Sequence, residues 1–160
     1  MYNAVDVANY FLFKSLHDEA AHYTISPLKL QKLVYYAEAW YTALNNTEMD
    51  FKKGTPKHLI NEEFQAWIHG PVVPTLYNQY REYGYHQISE FSFPNINNDE
   101  VENLLDSIWH IYGKYEAKEL EDLTHQETPW ITAREGLKSY QSSNKVIEKK
   151  AMFDFFKPNN

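Results

Sequence analysis

Apolar residues recur at spacings of three and four along residues 26–44, SPLKLQKLVYYAEAWYTAL. Leu30, Leu33, Val34, Ala37, Tyr41 and Leu44 therefore share one helical face. Ser26 suits the N-cap, because its hydroxyl can accept from an orphan backbone N–H. Pro27 suits the first helical position, where no donor is needed. Tyr35, Tyr36 and Trp40 widen the apolar side, which predicts a central helix with neighbours on more than one flank. Lys29, Lys32 and Glu38 fall elsewhere on it.

The same periodicity predicts a first helix over 4–20, with Val5, Ala8, Phe11, Leu12 and Leu16 inward and Asn3 as cap. Residues 45–57 are polar, carry Gly54 and Pro56, and read as a loop. Phe64, Ala66 and Ile68 alternate with Gln65 and Trp67, a short strand. His69-Gly70-Pro71 must break it, since a glycine before proline favours an extended or special conformation. Pro74 opens a helix to Tyr83, stopped by Gly84. Residues 85–97 form a loop, with a short strand expected near 88–93. A helix runs from Asn98 or Asp99 to Tyr112, burying Val101, Leu104, Leu105 and Ile108. Residues 116–124 give an acidic helix. Pro129 opens another to about Gly136, residues 137–146 are loose, and residues 147–156 dock Met152, Phe153 and Phe156. The last residues, about 157–160, are expected to form a flexible tail. The sum is a mainly α, compact single-domain helical fold with a minor β element, spanning 1–160.

Charge changes the picture of partners. The net charge is −7, and residues 99–127 hold nine acids against Lys114 and Lys118. That argues against nucleic-acid binding, which needs clustered Lys or Arg. An acidic face at Glu116, Glu119, Glu121 and Asp122 instead suits a basic partner. There is no cysteine, so disulfides, zinc–thiolate sites and cysteine nucleophiles are excluded together. No apolar stretch approaches the ~20 residues of a membrane span, and no secretory signal is expected.

Candidate chemistry is sparse. There is no GxSxG, no GxGxxG or P-loop pattern and no HExxH, so no enzyme activity and no cofactor are expected. Of seven histidines, His69 and His125 stand out, because each lies in a turn near a proline. A metal or general-base site on that pair would need a third group such as Glu127 or Glu63, and a packed turn histidine is the plainer reading. Trp67, Trp130, Tyr35, Tyr36 and Tyr77 suit either a core or an aromatic binding groove.

Three segments, PLKLQKLVYYAEAWY (27–41), FQAWIHGPVVPTLYNQYREYG (64–84) and LTHQETPW (123–130), occur in that order. Together they resemble the Panacea domain family, also called the SocA-like antitoxin domain: its L-Q-K-L-x-Y-Y-A helix, its W-x-x-G-P-V-x-P-x-x-Y element and its L-T-H-x-x-x-P-W turn. The resemblance covers about residues 3–156. It implies a bacterial or prophage antitoxin, acting in the cytoplasm, that neutralises a neighbouring toxin of a type II-like toxin–antitoxin system by direct protein binding. Within the family's variation it also implies an adaptor that delivers the toxin to the ClpXP protease. The matched positions are Gln31, Lys32, Tyr35, Trp67, His69, Tyr77, His125 and Trp130, expected to be functional, with Ser26, Pro27, Gly70, Pro71 and Pro129 shaping the backbone.

Overall fold

The computed structural model describes residues 1–18 and 22–158. It is mainly α, with eight α-helices and a three-stranded sheet among those residues. Helix α1 spans Ala4–His17, α2 Pro27–Asn45 and α3 Glu48–Lys52. Strands β1 (Phe64–Trp67) and β2 (Gly70–Val72) form a hairpin, followed by α4 (Pro74–Tyr80) and a 3-10 turn at Arg81–Tyr83. Then come α5 (Asp99–Tyr112), α6 (Ala117–Thr124), α7 (Thr128–Ala133), β3 (Val146–Ile147) and α8 (Lys149–Phe156).

Helix α2 is the axis, packed against α1, α4, α5, α6, α8 and β2. Ser26 caps it, its Oγ accepting from the Lys29 N–H. Encirclement buries residues that its apolar face does not contain. Lys32 and Glu38 are fully buried, and Lys29 nearly so. This corrects the expectation that those three sit apart from the packed side. Backbone groups, and for Glu38 two side chains as well, satisfy them. Lys29 Nζ donates to Gly113 O at 2.6 Å. Glu38 accepts from the Leu59 and Ile60 N–H groups, from Thr42 Oγ1 and from Lys149 Nζ. A buried carboxylate is tolerable only when its lone pairs are used in this way.

Other differences have local causes. Helix α1 ends at His17 with Leu16 exposed, and the remainder of its expected length, at 19 and 20, lies outside the described residues. Leu44 is exposed although its spacing groups it with Leu30 and Leu33, while Thr42 and Ala43 beside it are buried. The expected loop at 45–57 contains α3, nucleated by a capping box between Thr47 and Asp50. No strand forms at 88–93. The tail expected at 157–160 is described only as far as Pro158.

The sheet order is β2-β1-β3, antiparallel throughout. Trp67 pairs with Gly70, leaving Ile68 and His69 as a two-residue turn. Gly70 has φ +110°, which L side chains rarely adopt. Strand β3 was not expected within the polar stretch; Ile147 pairs with Phe64 and is buried. Helix α8 packs Met152, Phe153 and Phe156 inward as their spacing predicts. No helix among the described residues is long and apolar enough to cross a membrane.

Candidate functional site

The polar residues of α2 are aimed at the hairpin and at the start of α4. Gln31 grips Val73 with both ends of its amide: Oε1 accepts from the Val73 N–H at 2.9 Å and Nε2 donates to Val73 O at 3.3 Å. Val73 is the N-cap of α4, so this clamp fixes where α4 starts. One residue on, Lys32 Nζ donates to Pro71 O at 3.0 Å. Burial pushes its ammonium down to about 7, against the pull of Glu121. Gly70 is what admits it: a Cβ there would lie 2.6 Å from Lys32 Cε and 2.9 Å from Thr124 Oγ1.

Tyr35 is fully buried, edge-on to Phe64 at 5.4 Å, and its hydroxyl has no hydrogen-bond partner among the described residues. Tyr36 stacks on Tyr112 at 4.0 Å and donates to Glu127 at 2.9 Å. Burial raises the Glu127 carboxyl from 4.5 to about 7, with the Tyr36 hydroxyl opposing.

The third motif holds the hairpin from another side. Trp130 Nε1 donates to Trp67 O at 2.9 Å. Arg134 donates to Ala66 O at 2.8 Å, with its guanidinium 5.2 Å from the Trp130 ring centre. His125 stacks on the same indole at 3.9 Å. Burial lowers its pKa, the Lys32 and Lys118 charges adding to this and Glu121 and Asp122 opposing. His69, on the hairpin turn, is exposed and bonded to the Glu121 carboxylate. Lys118 holds the other oxygen of Glu121 at 2.7 Å and Asp122 at 3.2 Å.

The two histidines thus take different partners, one a carboxylate and one an indole, and Glu127 is engaged by Tyr36. Among the described residues no group of three or more His, Asp or Glu side chains is placed to hold a metal ion. The acidic face is also less available than its sequence implies. Glu121 is buried and ion-paired, Asp122 is ion-paired, and Glu119 bonds the Glu116 N–H in a capping box.

These elements enclose an open groove of about 1280 Å³. Leu28 and Gln31 come from α2, and Gln65, Trp67, His69 and Val72 from the hairpin. Tyr77 and Arg81 come from α4 and the turn after it, Lys118 and Glu121 from α6. Tyr85 and residues 142–144 complete the rim. Of the expected functional residues, Gln31, Trp67, His69 and Tyr77 line this groove, whereas Lys32, Tyr35, His125 and Trp130 lie outside its lining. Arg81 and Lys118 were not anticipated. As exposed charges on short helical segments they carry no sequence signal that separates them from ordinary surface residues.

A family model described as antitoxin SocA-like, Panacea domain, matches residues 30–131. That span takes in the polar face of α2, the hairpin, α4 and the turn at Pro129. No curated protein and no solved structure matches the chain.

Proposed function

The chain belongs to the SocA-like antitoxin, Panacea domain family, and from that premise we propose that it neutralises a protein toxin by direct binding at the groove. The role is occlusion, not catalysis. Trp67, His69 and Tyr77 are the contacting residues, while Gln31, Lys32, Tyr35, His125 and Trp130 act through the backbone and rings that they hold. The observation that supports this is convergence. The first and third family segments, far from the second in the chain, bond its hairpin and the start of α4, and that second segment turns the partly exposed Trp67 and Tyr77 into one open groove. Aromatic anchors on a rigid frame are what protein interfaces draw most of their affinity from.

The test is toxicity rescue. Each gene beside this one is expressed alone and then with this chain. Restored growth, lost on Tyr77→Ala while the protein level is unchanged, is the expected result. A toxic neighbour that this chain never rescues overturns the reading. Rescue that disappears in cells lacking ClpXP identifies delivery to the protease in place of occlusion.

A further inference from the structure

We propose that the groove receives one extended segment of the partner polypeptide, which seats an aromatic or aliphatic side chain against Trp67 and Tyr77 and a carboxylate on Arg81. This rests on the toxin-binding reading above. Its volume, about 1280 Å³, is larger than the ~300–1,000 Å³ typical of small-ligand pockets and open on one side, which suits a chain better than a compact metabolite. The Trp67 N–H already donates to Gln65 Oε1 at 2.9 Å, so the indole offers its apolar ring without asking for a polar partner. Tyr77 meets that ring edge-on at 5.0 Å and remains 39% exposed. Together they make an aromatic corner of the kind that takes a hydrophobic anchor.

The charges select the rest of the segment. Glu121, the one carboxylate on the groove, is ion-paired with Lys118 and hydrogen-bonded to His69, and Lys118 is shared with Asp122. Arg81 has no ion pair among the described residues and is exposed. Its guanidinium is the uncommitted charge of the groove, and a planar fork is matched best by a carboxylate. The molecule carries a net charge of −7, so a run of acids would be repelled by the remaining surface. A single Asp or Glu beside a hydrophobic anchor fits both facts.

The test uses the full chain and a phage-displayed library of random 12-residue peptides. Enriched peptides are then synthesised and their binding measured by fluorescence anisotropy. The expected result is enrichment of an aromatic or aliphatic residue within a few positions of Asp or Glu. Affinity falls at least about tenfold on Tyr77→Ala and on Arg81→Glu. Changing the peptide acid to Lys restores binding to the Arg81→Glu protein. Both positions are exposed, and an unchanged urea midpoint shows that the variants fold. A library that yields no binder, binders rich in Lys or Arg, or binders indifferent to both substitutions overturns the proposal. Toxin rescue that survives both substitutions overturns it together with the groove as the toxin site, while leaving the antitoxin role itself intact. Peptide binding that behaves as expected in a protein that rescues no toxic neighbour overturns the antitoxin reading alone.

Discussion

Gly70 shows how much one missing atom decides. Its φ of +110° and the 2.6 Å approach of Lys32 leave no room for a side chain, and Lys32 cannot swing away without losing Pro71 O. Gly70→Ala is therefore expected to cost about 2–4 kcal/mol, combining backbone strain and overpacking, as read from urea unfolding. Two buried titratable groups act on pH dependence with opposite sign. Glu127 has its pKa raised to about 7, so between 4.5 and 7 the folded state holds a proton that the unfolded state has released. Stability falls across that window as pH rises, by on the order of 3 kcal/mol if the whole shift is expressed. Glu127→Gln should remove this loss, seen as a flatter urea midpoint from pH 4.5 to 7. Lys32 has its pKa lowered to about 7, so from there to 10.5 the unfolded state holds the extra proton and stability rises with pH. Lys32→Met should abolish that rise, whatever its effect on the absolute midpoint.

At the scale of elements, the hairpin β1–β2 has only a short ladder of its own and is held from outside. Gln31 and Lys32 from α2 bond the backbone after its turn, and Trp130 and Arg134 from α7 and its end bond the strand before it. Short hairpins are marginal alone, so these four side chains determine where the turn sits. The Gln31 clamp also sets the start of α4, which carries Tyr77 and leads to Arg81. Gln31→Leu leaves the buried Val73 N–H without a partner, while Val73 O keeps the Tyr77 N–H, and should cost about 2 kcal/mol. It should lower thermal stability and toxin rescue together, whereas Tyr77→Ala should lower rescue alone. Comparing melting curves with growth for the two variants distinguishes positioning from contact.

Across the whole molecule, α2 packs against five other helices and β2, and its last neighbour is the last helix. Helix α8 covers α2 with Met152 and Phe156, and Lys149 reaches back to Glu38. Among the described residues most packed elements rest on α2, so tryptophan fluorescence and far-UV circular dichroism should report one coincident unfolding transition. Deleting residues 149–160 strips the apolar cover and a cationic partner from a buried carboxylate. The truncated chain should fail to show that cooperative transition.

Much of this architecture was legible in the order of residues, because its causes are local. Helix faces follow from 3.6-residue periodicity, and starts from Ser26, Pro27, Pro74 and Asn98. The break at His69-Gly70-Pro71 follows from a glycine that precedes proline. The three motif segments were legible too, as was their membership of one family. What the chain order concealed was the destination of the polar side chains on α2. Gln31, Lys32 and Glu38 are satisfied by backbone atoms 21–42 residues away, with Lys149, 111 residues away, completing the Glu38 set. A rule that places charge outward has no means of seeing those partners. For the same reason strand β3 was hidden, since Val146–Ile147 becomes a strand only where β1 offers an edge. The groove itself belongs to neither level of local order. It exists because packing brings α2, the hairpin, α4 and α6 together, and long-range contact alone separates aromatic residues that face solvent from those that fill the core.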